Sequence, residues 1–267
     1  GMATARALMA GGNLVLAWDD SPKRVTAAAR AGIPVQDSAD FDWRGIAALV
    51  PSPGIPLDHP TIVSAQASGV EIIGDVEILW RAMAERKYVG ITGTNGKSTT
   101  TALIGHILEH ARQTVQIGGN LGTPALSLDA LWAEGTYAIE MSSFQLDLTR
   151  NMSFDIAVLL NIAPDHLDRH GSINAYIAAK RKIFRPGRLK TAVVGIDGPD
   201  SLRIYRELRL QGDLDVVPVA TGRRLLDGIA TNGGLLEDHG QAICDLEAAT
   251  ALPGQHNWQN AAAAYAA

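Results

Sequence analysis

The stretch "YVGITGTNGKSTTTALIGHIL", from Tyr88 to Leu108, decides the fold. Its first residues form an apolar run typical of a buried strand, and the residues after Lys97 carry apolar side chains at helical spacing. The pattern therefore predicts a strand that is connected to a helix by a glycine-containing turn. Gly93 and Gly96 allow the backbone to approach an anion closely, and the start of the helix adds the positive end of its dipole.

This turn predicts a nucleoside-triphosphate site. Lys97 supplies a mobile charge for terminal phosphates, and the hydroxyl of Ser98 or Thr99 offers an oxygen to Mg²⁺. The strict phosphate-loop pattern G-x-x-x-x-G-K-[ST] needs a glycine where Ile91 stands. An ordinary helix start rich in small residues is the alternative, but the flanking strand and helix favour phosphate binding. We expect the nucleotide to contact Gly93, Thr94, Asn95, Gly96, Lys97, Ser98 and Thr99.

The composition is typical of a soluble enzyme, with 46% hydrophobic and 19% charged residues among 267. A net charge of −5 and the lack of a basic stripe argue against a nucleic-acid partner. Cys244 is the only cysteine, so no intrachain disulfide forms and we expect a reducing, cytoplasmic location. No apolar run approaches the ~20 residues of a membrane helix. We expect a monomer without a membrane partner.

Strand and helix patterns alternate along the chain, which predicts an α/β fold. Residues 1–84 read as a Rossmann-like parallel-sheet domain, with helices at "ATARALMA" and "PKRVTAAARA", a strand at "NLVLAW" and a short buried strand in "IAALVPSPGI". Residues 85–267 read as an ATP-binding domain whose sheet is mostly parallel, with a small antiparallel part. Its strands are predicted at "YVGITG", "QTVQIG", "YAIEMS", "DIAVLLN", "TAVVGI" and "LDVVPV". The segment "GIATNGGLLED" predicts a hairpin with Asn232 and Gly233 at its turn.

Polar turns follow two strands of the first domain. Asp19 and Asp20 in "WDDS" offer carboxylates to a ribose or a base, and the turn "SPG" (residues 52–54) offers backbone N–H groups to a phosphate. Ligands bind at the carboxyl ends of parallel strands, which favours a binding role. These residue types also form ordinary turns, so a purely structural role stays open.

The second domain carries carboxylate and imidazole groups at strand ends. Glu140 ends the apolar strand "YAIE" and can hold Mg²⁺ directly or through water, unless it simply faces solvent. The loop after Asn161 is expected to expose Asp165, His166, Asp168 and His170. His166 is the candidate metal contact, although a lone histidine after a strand is often a structural hydrogen-bond donor. Nothing in the spacing singles out Lys180 from the basic run Lys180, Arg181 and Lys182.

Five ordered motifs resemble those of the Mur ligases. They are "GTNGKSTTT", "GGNLGTPAL", "EMSSFQLD", "LNIAPDHLDRHGSINAYIAAKRKIF" and "LPGQHNWQNAAAA". The resemblance spans most of the chain and implies an ATP-dependent ligase of peptidoglycan precursor synthesis. In this family ATP phosphorylates the carboxylate of the precursor, an amine attacks the acyl phosphate, and phosphate leaves.

The resemblance also implies roles for individual residues. Lys97, His166 and Lys180 are the expected catalytic residues, with Lys97 neutralising charge on the transferred phosphoryl group. Two Mg²⁺ ions are implied, one held by Ser98 and Glu140 and the other by His166 and Lys180. Lys180 matches the family's carbamylated lysine, whose carbamate offers anionic oxygens where an ammonium would repel the ion.

Substrate contacts are carried over in the same way. The resemblance places the uridine-diphosphate-sugar substrate against Ser52, Pro53, Gly54, Asn120, Ser143 and Gln145, and less firmly near Asp19 and Asp20. It places the adenine and ribose of ATP near His256, Asn257 and Asn260. Without the resemblance, Asn257 reads as a helix N-cap.

Within the family, "APDHLDRHGS" and "SSFQLD" resemble the member that adds D-glutamate to UDP-N-acetylmuramoyl-L-alanine. Members that add other amino acids, and the folylpolyglutamate synthetases, are the alternatives. Outside the family, a small-molecule kinase or a non-catalytic nucleotide-binding module stays open. Compared with the family pattern, we expect the C-terminal ligase domain and the first N-terminal strand to be absent from this chain, and the chain to be inactive alone.

Overall fold

A computed structural model describes residues 1–267 and shows eleven strands and ten α-helices, joined in places by short 3₁₀ turns. The strands are β1 (Ala48–Leu49), β2 (Glu71–Ile72), β3 (Lys87–Thr92), β4 (Val115–Gly119), β5 (Thr136–Glu140), β6 (Ile156–Leu159), β7 (Thr191–Gly195), β8 (Asp215–Thr221), β9 (Ile229–Asn232), β10 (Leu235–Asp238) and β11 (Gln241–Asp245). The helices are α1 (Met2–Ala10), α2 (Pro22–Arg30), α3 (Pro60–Ala67), α4 (Asp75–Ala82), α5 (Lys97–His110), α6 (Ser143–Asp147), α7 (Leu167–His170), α8 (Ile173–Arg181), α9 (Pro199–Gln211) and α10 (Gln255–Ala266).

Nine of the strands form one sheet, in the order β11-β10-β9-β8-β7-β6-β3-β5-β4. Strands β3 to β9 pair in parallel, whereas β10 and β11 pair antiparallel. The predicted α/β fold, mostly parallel with a small antiparallel part, is confirmed. Because β3, β4, β5 and β6 run in the same direction, their carboxyl ends lie along one edge of the sheet.

Helices cover both faces of this sheet. Residues of α5 and α10 pack with Val89 and Ile91 of β3 on one face. Residues of α4, α8 and α9 pack with Tyr88 and its neighbours on the other. Strand β3 is buried on both faces, which explains its nearly continuous apolar sequence. None of the helices is both long and apolar enough to cross a membrane.

The antiparallel end of the sheet differs from its prediction by one residue. Asn232 pairs with Leu235, so Gly233 and Gly234 form the turn between β9 and β10. Their φ angles of 54° and 81° are those of a two-residue type I′ turn, which glycine adopts without strain. The predicted turn at Asn232 and Gly233 is therefore wrong by one position. Strands β2 and β11 were not predicted, and β11 is exposed along its whole length.

Residues 1–74 have much less regular pairing. Strands β1 and β2 pair in parallel over two residues each. The strand predicted at "NLVLAW" is wrong, because only one parallel bridge, Ala17 to Val35, forms there. Leu14 and Leu16 are exposed, so the apolar run does not contribute a buried strand. Two small apolar clusters of five and three buried residues support this part of the chain.

Glu77 ties helix α4 to the loop that precedes β6. Its side chain is fully buried and accepts hydrogen bonds from the backbone N–H groups of Arg150, Asn151 and Met152. Arg81 donates to the same carboxylate at 2.9 Å. A buried carboxylate is stable in such a place only when its lone pairs are used in this way. Glu77 therefore fixes α4 against the larger core.

Candidate active site

The glycine turn between β3 and α5 lies at the carboxyl edge of the sheet. Gly96 has a φ of 87°, which lets the chain enter the helix from a left-handed conformation. Asn161, just after β6, braces the turn: its backbone oxygen accepts from Thr94 N–H at 3.0 Å, and its side-chain oxygen from Asn95 N–H at 2.9 Å. Its amide donates back to Asn95 O at 3.1 Å. The turn is thus held by the neighbouring strand.

Two lysines from distant segments meet at one carbonyl oxygen of this turn. Lys97 Nζ donates to Gly93 O at 3.1 Å and to Thr94 O at 2.9 Å. Lys180 Nζ donates to Gly93 O at 2.8 Å and to Thr92 Oγ1 at 3.4 Å. Lys180 is only 2% exposed. The structure therefore brings together two of the three predicted catalytic residues, Lys97 and Lys180.

A second contact, made by Tyr176, holds helix α8 and its Lys180 against the glycine turn. Tyr176, one turn earlier on the same face, shares a hydrogen bond of 3.0 Å with Thr94 Oγ1. Lys180 Nζ lies 4.7 Å from the centre of the Tyr176 ring. These contacts dock the end of α8 onto the glycine turn.

Burial changes the protonation of both amines. Removal from water and, to a smaller extent, the nearby Lys97 ammonium lower the pKa of Lys180 to about 7, against the opposing charge of Asp165. Burial also lowers the pKa of Lys97, while Glu140 and Asp165 oppose that change. The Lys180 amine is therefore readily available in its neutral, nucleophilic form near neutral pH.

Glu140 lies at the carboxyl end of β5, as predicted, and is almost fully buried. Its Oε1 accepts from Asn120 Nδ2 at 3.0 Å, and its backbone oxygen accepts from Asn120 N–H at 2.9 Å. The negative charge of Glu140 raises the pKa of Lys97, against the effect of burial. Ser98 and Thr99 follow Lys97 in the first turn of α5, where Ser98 is exposed.

The loop after β6 carries His166, whose side chain is exposed and whose φ is 51°. Its Nε2 lies 3.4 Å from Asp165 Oδ2, and its ring lies 5.0 Å from that of Phe144. His170 was expected to be exposed, but its side chain is only 6% exposed because it packs in and pairs with Ser143 Oγ at 2.9 Å. That expectation is wrong.

The predicted metal residues make no direct contact with one another. No hydrogen bond or ion pair joins any two of Ser98, Glu140, His166 and Lys180. No group of three or more His, Cys, Asp or Glu side chains is placed to hold an ion. Ser98, Glu140 and Lys180 border the glycine turn, whereas His166 lies beside Asp165.

The predicted substrate residues fall into two groups. Ser143 and Gln145 are buried and bonded within the protein, Gln145 by accepting from Ser142 N–H in a capping box at the start of α6. Ser52 and Gly54 are exposed in the turn after β1. Asp19 and Asp20 both have partners within the protein: Asp19 accepts from the nearby Ser21 N–H at 2.9 Å, and Asp20 lies 3.0 Å from Nε2 of the distant His59.

The start of helix α10 packs directly on the glycine turn. Asn260 is 3% exposed, and its Nδ2 donates to Asn257 Oδ1 at 3.3 Å. A Cβ atom at Gly96 would overlap Asn260 Oδ1. Asn257 is not the helix cap, because Gly254 takes that position and Asn257 donates to Pro253 O instead. The motif at residues 256–260 is therefore part of the turn's wall.

A polar cleft of about 380 Å³ opens between the glycine turn and α10. Asn95, Thr99 and Asn161 line one side, and His256 and Asn257 line the other. No hydrophobic side chain lines it. Such a set of donors and acceptors next to a helix N-terminus suits a phosphorylated nucleotide.

The profile of the Mur ligase middle domain matches residues 91–267, which include the glycine turn, both lysines and helix α10. This chain belongs to the Mur ligase family.

Two relatives carry the same name. The chain is 50% identical to UDP-N-acetylmuramoylalanine–D-glutamate ligase of Rhodospirillum rubrum over 281 residues, and 46% identical to that of Phenylobacterium zucineum over 282 residues. All of this chain is covered in both comparisons, and it spans 59% and 60% of the relatives' lengths. The solved UDP-N-acetylmuramate:L-alanyl-gamma-D-glutamyl-meso-diaminopimelate ligase from Neisseria meningitides has a TM-score of 0.62 at 18% identity, covering 98% of this chain and 87% of that one. This last likeness is one of fold.

Sequence reasoning missed three residues of this Mur ligase site. Asn161 braces the turn, Tyr176 docks helix α8, and Arg169 joins the loop after β6 to the turn at residues 52–55. Asn161 could have been found from the sequence, because it is a polar residue directly after a strand that the topology places beside β3. Tyr176 and Arg169 had none, since their roles depend on contacts between segments far apart in the chain.

Proposed function

We propose that the protein is an ATP-dependent ligase that joins D-glutamate to UDP-N-acetylmuramoyl-L-alanine through an acyl phosphate. One observation carries the proposal: Lys97 and Lys180 both donate to Gly93 O. This oxygen lies at the edge of the sheet where strand β5 ends with Glu140. The names of the relatives at 46% and 50% identity support the choice of substrates.

In the proposed reaction, a carboxylate oxygen of the precursor attacks the γ-phosphorus of ATP. The bond between that phosphorus and the bridging oxygen breaks, and ADP leaves. The D-glutamate amine then attacks the acyl carbon and loses a proton, and the tetrahedral intermediate expels inorganic phosphate. The backbone N–H groups of the turn and the Lys97 ammonium offset charge on the phosphoryl group. Helix α10, with Asn257 and Asn260, is proposed to hold the adenine side of ATP.

Mg²⁺ fits the donor set at the turn. Ser98 offers a hydroxyl and Glu140 a carboxylate, and Mg²⁺ commonly takes one or two such protein oxygens besides phosphate and water. These residues are proposed to hold an ion that neutralises phosphate charge when bound. The donors proposed for a second ion, His166 and Lys180, are not joined by any contact, and none of the steps above depends on it.

Lys180 is proposed to carry a carbamate. A buried amine with a pKa near 7 is neutral often enough to attack CO₂, forming an N–C bond and releasing one proton. Carbamylation therefore replaces the cationic ammonium beside the turn with an anionic carbamate. Intact-protein mass measured in bicarbonate should show the addition of one CO₂ that is absent in Lys180→Ala. An unmodified lysine, and no rescue of Lys180→Ala activity by short carboxylates, would count against this role.

The precursor is proposed to lie against Asn120, Ser143, Gln145 and the turn at residues 52–54. Residues 1–84 then form the UDP-substrate domain and residues 85–267 the ATP domain. The exposure of the 52–54 turn supports this arrangement. Because Ser143 and Gln145 are buried and bonded internally, their proposed contact requires that they exchange a partner.

The test is phosphate release by the full-length protein with MgATP. Release should require both UDP-N-acetylmuramoyl-L-alanine and D-glutamate, and Lys97→Ala should abolish it. Omission of either substrate separates this ligase from a kinase that uses the same turn. ATP consumption with another acceptor, and none with these two substrates, would contradict the proposal.

A further inference from the structure

Three segments of the chain meet at the guanidinium group of Arg169. Its Nη1 donates to Gly54 O at 3.1 Å and its Nη2 donates to Ile55 O at 2.6 Å. Its Cζ lies 4.9 Å from the centre of the Phe144 ring. One side chain therefore contacts the turn after β1, the helix α6 and, through its own backbone, the loop that carries His166.

The geometry suits rigid positioning. The two carbonyl oxygens belong to consecutive residues of a turn closed by Ile55 N–H donating to Ser52 O at 2.9 Å. A planar guanidinium that donates from both Nη atoms fixes direction as well as distance, which a flexible ammonium does less well. Arg169 forms no ion pair with a carboxylate, so its charge is not committed elsewhere.

The rest of the turn has no comparable support. Apart from Arg169, no side chain donates a hydrogen bond to residues 52–55. Phe144, which the guanidinium covers, also lies 5.0 Å from the His166 ring and 5.4 Å from the His170 ring. The guanidinium of Arg169 thus packs on the Phe144 ring while its two Nη atoms hold the turn.

We propose that Arg169 is a positioning residue that holds the 52–55 turn in its precursor-binding place and couples that turn to the loop carrying His166. This inference rests on the proposed function, in which the turn contacts the uridine-diphosphate-sugar substrate. Arg169 itself contacts the turn and not the substrate. Its loss therefore weakens binding of the precursor and leaves the ATP cleft, whose walls contain none of these residues, unchanged.

The experiment compares Arg169→Gln, Arg169→Lys and wild type. Titration calorimetry with UDP-N-acetylmuramoyl-L-alanine should show a Kd raised about tenfold in Arg169→Gln, the size expected for loss of charge-assisted hydrogen bonds. The Kd of Arg169→Lys should lie between those of wild type and Arg169→Gln, because lysine keeps the positive charge but not the two Nη donors of the planar guanidinium. The Kd for MgATP should stay within about twofold. In the full-length protein, KM for the precursor should rise while kcat changes little.

Hydrogen exchange of the Ile55 amide tests the tether without any ligand, and this exchange should speed up in Arg169→Gln. Arg203→Gln, which removes an exposed ion pair with Asp200, is the matched control and should change neither readout.

Unchanged precursor affinity in Arg169→Gln, with normal binding by wild type, would overturn this inference alone. Equal losses of precursor and ATP affinity with a lower Tm would also overturn it, since they indicate a general structural role. If wild type binds no precursor, the proposed function fails first, and unchanged Ile55 exchange would then remove the tether as well.

Discussion

The region around the glycine turn and the region before residue 75 are built in different ways. Strand β3 has hydrogen-bonded neighbours on both sides and helices on both faces, and the two apolar clusters around it contain 23 and 15 buried residues. Before residue 75 the sheet has two strands of two residues, with apolar clusters of five and three residues, the larger of which is completed by Leu148 from the later part of the chain. The first region supports itself, whereas the second depends on ties to the first.

This difference bears on how the proposed site works. On the proposed nucleotide side, the turn is braced by the carboxyl end of a neighbouring strand. The proposed precursor side is held by a few long-range contacts: Arg169 holds the turn at residues 52–55, and Arg81, on the helix that Glu77 fixes, holds Glu71 of β2. The following predictions test that contrast, beginning with the largest expected effect.

Glu77→Ala should destabilise the protein by about 3–5 kcal/mol, the loss expected when one partner of a buried charge network is removed. Three backbone N–H groups lose their acceptor and Arg81 loses its buried partner. Urea unfolding at constant m-value measures the change. Glu85→Ala, at an exposed site, is the control and should change stability by less than about 0.5 kcal/mol. A loss under 1 kcal/mol in Glu77→Ala, on the order of a surface effect, would break the contrast.

Gly96→Ala should cost about 2–3 kcal/mol and abolish MgATP binding, because the new Cβ combines left-handed strain with overlap of Asn260. Gly122→Ala is the matched control, since Gly122 has a φ of 75° but open space around its Cβ position. It should cost about 1 kcal/mol and leave ATP binding intact. Equal losses in the two variants would show that packing of α10 on the turn is unimportant. Unfolding and calorimetry give both readouts.

Lys180→Met should remove part of the pH dependence of stability. Above pH 7 the folded protein releases the Lys180 proton, whereas the unfolded chain keeps it until the pH approaches 10.5, so rising pH favours the folded state. Wild-type stability relative to the variant should therefore rise by at most about 1.4 kcal/mol per pH unit in this window. The free energy of unfolding, measured for both proteins at several values between about pH 6 and 9, gives this slope. Parallel curves would contradict a depressed pKa.

Gly233→Asn should have the smallest effect, a stabilisation of about 0.5 kcal/mol, because asparagine tolerates the first position of a type I′ turn and restricts the unfolded chain. Gly234→Asn is the matched control: its Cβ would overlap Glu247, so it should destabilise. Thermal unfolding compares the two. The opposite order would place the turn one residue earlier, as the sequence suggested.

Sequence patterns succeeded where local signals and packing agree. Strands β3, β5, β6 and β7 are largely buried apolar runs, so composition alone indicated them. The segment from Asn13 to Trp18 has the same composition but only one neighbour, and its leucines face solvent. Residues at strand ends such as Glu140 were predictable because parallel strands share an edge. Arg169 was not, because its partners lie 114 and 115 residues away in the chain.

The central claim is that the glycine turn holds the γ-phosphate of ATP, with Lys97 neutralising its charge and Lys180 beside the same carbonyl oxygen. A crystal structure of the protein with Mg²⁺ and a non-hydrolysable ATP analogue tests it most directly. We predict the γ-phosphate at the turn, with Lys97 Nζ in hydrogen-bond contact, Glu140 beside the ion, and Lys180 facing the same group. Density for the nucleotide elsewhere, or either lysine turned away from the phosphate, would contradict the account.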